Sequence, residues 1–129
     1  MKSPRILIVD DYAELRTALR RRLAAEHWEV CGEVSGGLEA IEAARRLAPD
    51  VIVMDLSMPG MSGLEAARKI REEFPAMLIM LMTLPGADLE EAARRAGIRG
   101  TVSKLAMNKM VTGLHALLRG EEFHDLSES

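Results

Sequence analysis

Three short apolar runs and one weaker strand segment of this 129-residue chain end on side chains that can do chemistry. Ile6–Val9 stops at Asp10-Asp11, Val51–Met54 at Asp55, Met77–Met82 at Thr83, and Ile98–Ser103 at Lys104. Taken singly, each has an ordinary role. The Asp10-Asp11 pair caps a helix beginning near Tyr12, Asp55 forms a turn ahead of Pro59-Gly60, Thr83 is a β-branched strand residue and Lys104 a solvated lysine. Brought together, they do something else. Carboxylates a few ångströms apart raise one another's pKa unless a cation neutralises them, and carboxylate oxygens completed by water suit a hard octahedral ion such as Mg²⁺ beside a phosphate. An ammonium and a hydroxyl on the same rim would then hold phosphoryl oxygens.

The elements between these residues decide whether they meet. The runs Ile6–Val9, Val51–Met54 and Met77–Met82 lack polar alternation, which predicts strands buried on both faces. Weaker strands are predicted at Trp28–Val34 and Ile98–Ser103. Helix-period apolar positions fall at Leu15, Leu19 and Leu23, at Leu38, Ile41, Ala44 and Ala48, and at Leu64, Ala67, Ile70 and Phe74. Further helices are expected over Leu89–Ala96 and Met107–Leu118. Strands alternating with helices specify an α/β fold: a doubly wound, five-stranded parallel (βα)5 sheet of order 2-1-3-4-5, with the two less apolar strands at its edges. In that order strands one, three, four and five are contiguous. Their carboxyl ends, where such sheets bind ligands, carry Asp10, Asp11, Asp55, Thr83 and Lys104.

Composition narrows the partners. Seventeen Lys and Arg against twenty Asp and Glu give a net charge of -3, so the electrostatic footprint of a nucleic-acid-binding domain is missing. Arg20–Arg22 and Arg94-Arg95 read as solvated helix faces, and His27, His115 and His124 share no metal-ligand spacing. A single Cys31 excludes an intrachain disulfide. The longest apolar stretch, Ala76–Met82, is too short to span a bilayer, and a cytoplasmic location is expected. With 3% aromatic residues and nine Met, the core must be aliphatic.

The segment Asp55-Leu56-Ser57-Met58-Pro59-Gly60-Met61-Ser62-Gly63, with Ile-Leu-Ile-Val-Asp-Asp at 6–11, Thr83, Ala96-Gly97-Ile98-Arg99-Gly100 and Lys104, closely resembles the receiver domains of response regulators, here of the LuxR/NarL type. The resemblance covers nearly the whole chain and implies a flavodoxin-like fold over residues 1–120. It also implies a phosphoacceptor Asp55 that takes a phosphoryl group from a sensor histidine kinase. Asp11, Asp55 and the backbone carbonyl of Ser57 would ligate Mg²⁺, Asp10 would act mainly through bound water, and Thr83 and Lys104 would hold the phosphoryl oxygens. Catalysis would be confined to the domain's own phosphorylation and dephosphorylation. The reading surface would be the fourth helix, fifth strand and fifth helix, which could also pair two copies. Residues 121–129 resemble a tail or the start of a linker to an output domain, through which alone DNA would be contacted.

Two bland readings stand beside this: Ser62 and Glu65 form a capping box for the third helix, and Pro59-Gly60 makes a turn. A receiver-like interaction module independent of phosphorylation is the alternative function, opposed by the five signature residues. A haloacid-dehalogenase-type phosphatase would need Asp-x-Asp where Asp10-Asp11-Tyr12 stands, and no Gly-x-Gly-x-x-Gly follows the first strand. Three positions depart from the resemblance: Thr101 where an aromatic usually sits, Leu84 where a small residue follows the Thr, and Leu105 in place of Pro. The stretch from Thr83 to Lys104 also looks one residue short. Weak coupling to the output surface and restricted access to Asp55, with Pro85 stiffening Leu84, are the expected consequences.

Overall fold

The computed structural model describes residues 3–84 and 88–127. Its strands are β1 (Arg5–Val9), β2 (Glu29–Val34), β3 (Val51–Asp55), β4 (Leu78–Thr83), β5 (Gly100–Ser103) and β6 (Phe123–Asp125). The helices are α1 (Ala13–Ala24), α2 (Gly37–Leu47), α3 (Gly63–Glu73), α4 (Glu90–Arg95) and α5 (Met107–Leu118). All neighbouring strands run parallel, in the order β2-β1-β3-β4-β5-β6.

Alternation within the buried strands builds two cores. Leu7, Val9, Ile52, Met54, Ile79 and Leu81 face α2, α3 and α4. Ile6, Ile8, Val51, Val53, Met80 and Met82 face α1 and α5, where Leu19, Leu23, Met110, Leu114 and Leu117 close over them. These strand residues are all within 1% of complete burial, which is why the runs read as continuously apolar. Each helix contributes one stripe at helical spacing, as with Ala66, Ala67 and Ile70 of α3.

The expectation of five strands is corrected to six. The parallel order 2-1-3-4-5 stands within the sheet, but β5 is an interior strand because Phe123–Asp125 pair with Gly100–Val102. The segment was expected to leave the domain as a tail. Phe-His-Asp carries no apolar run, and its partners lie more than twenty residues upstream, so local pattern cannot announce it. The other strand and helix boundaries shift by no more than two residues, as element ends ordinarily do. Among the described residues, no helix is long and apolar enough to cross a membrane.

Candidate phosphoacceptor site

The site is assembled at the carboxyl end of the sheet by backbone ladders that run past the strands themselves. Leu56 N donates to Met82 O and Lys104 N to Thr83 O, both at 2.8 Å, while Asp10 N donates to Val34 O at 3.1 Å. Side chains at these positions are therefore tied to the sheet by backbone hydrogen bonds one residue beyond the strand ends. Asp10 and Asp55 are almost wholly buried, as is Thr83. Asp11 is exposed.

Candidate ligand oxygens of Asp10, Asp11 and Asp55 lie within 4.8 Å of one another. Lys104 Nζ stands between two of them, 3.1 Å from Asp55 Oδ2 and 3.2 Å from Asp10 Oδ2. Asp55 Oδ1 accepts from Ser57 N at 3.2 Å, and Asp10 Oδ1 from Tyr12 N at 2.8 Å. The latter bond is a local turn at the entry to α1. Tyr12 itself is the N-cap, so the Asp10-Asp11 pair does not cap the helix through a side chain at that position. Arg16 Nη1 reaches back to Asp10 O at 2.6 Å and steadies the strand end. No sequence signal marked this arginine.

Burial raises the pKa of the Asp55 carboxyl, the Asp10 charge raises it further, and Lys104 pulls it partly back. For Lys104, burial favours the neutral amine, but hydrogen bonds and charge from Asp55 and then Asp10 outweigh it, and the ammonium is held above its usual range. The carboxylates nevertheless outnumber the cation. Asp10 Oδ2 is buried without a well-aligned hydrogen-bond partner, having only the ammonium beside it, and such a buried acceptor costs free energy until something fills its coordination. That orphaned oxygen, in an all-oxygen donor set of three acids, fits a divalent hard cation.

The loop after β3 is fixed by Gly63. A Cβ at this position would lie 2.1 Å from Asp55 O, and Gly63 N donates to Leu56 O at 2.8 Å, so the start of α3 packs directly on the peptide of Asp55. Ser62 Oγ accepts from Glu65 N at 3.1 Å, giving the hydroxyl half of the capping box. Gly60 has φ +81, the left-handed conformation needed by the turn after Pro59. Around the rim Tyr12, Leu84 and Leu105 are 64%, 60% and 61% exposed. Pro85, expected to stiffen Leu84, lies outside the described residues.

Of the residues singled out in the sequence, the structure brings Asp10, Asp11, Asp55 and Lys104 together, and places Thr83 beside them at the end of β4, opposite Ser103. Ser57 donates its amide to Asp55. What sequence reasoning missed is His124, passed over for want of metal-ligand spacing. Its Nδ1 lies 2.8 Å from Thr101 Oγ1 on β5.

A doubly wound parallel sheet with a buried aspartate, an adjoining acidic pair and a lysine on one rim is the arrangement expected of a receiver domain. The chain belongs to the response regulator receiver domain family, whose model matches residues 6–115. It is 33% identical to a LuxR-family two-component response regulator from Aurantimonas sp. SI85-9A1, with a TM-score of 0.90 over 95% of this chain and 89% of that one. The isolated receiver domain of RcsB from Salmonella enterica serovar Typhimurium, solved with the phosphomimetic BeF3⁻, is 27% identical, with a TM-score of 0.88 over 98% of this chain and 96% of that one. The chemotaxis protein CheY of Thermotoga maritima is 43% identical over 58 residues, 45% of this chain and 48% of that protein. The matched stretches span less than half the length of the curated relatives.

Proposed function

We propose that this receiver accepts a phosphoryl group on Asp55 from a phosphohistidine of a sensor kinase. A carboxylate oxygen of Asp55 attacks phosphorus, the P–N bond breaks, and the departing imidazole nitrogen keeps the electron pair and takes a proton from solvent. The observation that carries this reading is the Lys104 ammonium beside Asp55 Oδ2, with Asp55 buried at the end of a rigid strand. Asp10, Asp11 and Asp55, with the Ser57 carbonyl, would hold Mg²⁺, which supplies neutralisation of the acids and of the phosphoryl charge. Lys104 and the Thr83 hydroxyl bind the phosphoryl oxygens of the product.

The domain acts as a switch and not as an enzyme on other substrates. Added charge on Asp55 draws Thr83 and Lys104 toward it, and the change is read on α4, β5 and α5 by a partner or a second copy. DNA is reached only through an output domain, and the location is cytoplasmic. Incubation with acetyl phosphate and Mg²⁺, followed by peptide mass spectrometry, tests the assignment. One phosphoryl group should appear on Asp55 and none in Asp55→Asn. An adduct on Asp10 or Asp11, or full labelling without divalent metal, refutes it.

A further inference from the structure

The chain after α5 has the least recognisable sequence and some of the most particular contacts. Gly120, at φ +86, reverses its direction, and Phe123–Asp125 then pair in parallel with Gly100–Val102. Successive side chains engage different elements. Phe123 joins the core beneath α5, where a Cβ at Gly113 would fall 2.6 Å from its ring, so the helix is notched at the point where the ring enters. On the opposite face of the sheet the His124 side chain is 2% exposed and shares a hydrogen bond with Thr101. Leu126 packs on the core that α4 helps to cover.

Polar contacts fix the ends of the seat. Arg94 of α4 pairs with Glu122 at 3.2 Å, and Glu122 also reaches His124 Nε2. Lys109 of α5 pairs with Asp125 at 3.0 Å. The Ser127 hydroxyl and this lysine hold the Asp125 carboxyl at about 2. Residues 122–126 thus contact α4, β5 and α5 in turn. The buried residues of both cores all precede the tail, and Phe123 and Leu126 pack on them as partly buried side chains. The strand is three residues long, and apart from the buried His124 side chain it is only part-buried. It has the character of a bound peptide more than of a framework strand.

We propose that residues 121–127 are a removable ligand of the α4–β5–α5 face. Seated, they occupy the β5 edge, the Gly113 notch and the Thr101 hydroxyl. Released, they leave a site for an extended segment that pairs parallel to β5 and presents an aromatic, a polar and an acidic residue in succession. That occupancy is independent of phosphoryl transfer; its consequence for a partner that reads this face rests on the receiver reading above.

The test uses the whole chain, two variants and a synthetic peptide of residues 119–127. Phe123→Asp removes the apolar anchor, and Phe123→Ser with His124→Ala is a milder release. Amide exchange in β6 should rise at least about tenfold in both while β1, β3 and β4 stay protected. The peptide should then shift NMR signals of Gly100–Ser103 and Gly113 saturably in the variants and leave the parent unchanged. Three results overturn the proposal: β6 that stays protected in both variants, protection lost across the whole sheet in both, or a peptide that ignores the released face or binds the parent equally. Asp55 phosphorylation is followed in the same samples. Its loss in the parent would count against the acceptor reading and leave the result for the tail standing.

Discussion

Among the described residues, the Lys104 ammonium alone pairs with both buried carboxylates of the site, so replacing it by Met removes the charge while keeping an unbranched stem. Two unit negative charges at 4.8 Å, the upper limit here, repel by about 3.5 kcal/mol at an effective dielectric of about 20. Stripping one partner from a buried ion pair costs about 3–5 kcal/mol in general. With the Lys104 side chain 16% exposed, screening is modest, and Lys104→Met should lose about 3 kcal/mol at pH 7 in EDTA. Urea unfolding reads this as a lower midpoint at constant slope.

The pH dependence follows from Asp55. Its folded-state pKa is already raised, so its favourable contribution is complete below the ordinary carboxylate range and is lost as pH rises through the folded value. Removing Lys104 raises that pKa further, and the deficit of the variant should narrow on acidification toward the carboxylate range. Mg²⁺ should also narrow it, since a cation replaces the missing ammonium charge between the acids, binds the folded variant more tightly than the parent and so stabilises the variant more by mass action. In an Asp55→Asn background the same substitution should cost much less. A loss below about 1 kcal/mol in EDTA at pH 7, or an equal loss with and without Asp55, would refute the electrostatic account of the site.

Gly63→Ala should cost about 3 kcal/mol, the upper end for overpacking, because its Cβ meets backbone and not a flexible side chain; a thermal melt should fall by about 10 °C, with slower phosphorylation of Asp55. Leu84→Ala should speed both phosphorylation from acetyl phosphate and loss of the phosphoryl group, and unchanged rates would show that this rim side chain does not gate access. Trp28 packs on His115, ring centroids 4.6 Å apart, and precedes β2 at the amino end of the sheet. Its fluorescence should respond to His115→Ala and stay unchanged on adding Mg²⁺, whereas quenching by the metal would contradict the topology.

Strands β1, β3 and β4 and three positions of the candidate site were legible because burial on both faces leaves these strands apolar up to their carboxyl ends, so the first polar residue marks that end. Asp10, Asp55 and Thr83 carry that mark, whereas Lys104 follows a strand that already holds the polar Thr101 and Ser103 and was legible through the resemblance. Arg16 and His124 carry none: each acts through a partner chosen by tertiary contact, Asp10 O in one case and Thr101 in the other. Thr101 shows both the reach and the limit of the sequence. Its departure from the resemblance was visible as a missing ring, but not that an imidazole twenty-three residues later in the chain lies against it. For the Asp10-Asp11 pair the bland alternative, a side-chain cap, gives way to a turn made by Asp10 onto Tyr12 N, and the two differ by geometry that spacing does not encode.

Strand β6 also changes where the polypeptide departs. Because β6 runs parallel to β5, the backbone at Asp125–Ser127 has returned to the rim that carries Asp55 and Lys104, whereas α5 alone would have delivered it to the opposite end of the sheet, about 17 Å away for a five-residue strand. Lys109, five residues after Lys104 and in the first turn of α5, grips Asp125. A shift of the Lys104 backbone toward a charged acceptor therefore has a short mechanical path to the departing chain: one loop, one helical turn and one ion pair. Transmission along this path would not have to cross the sheet.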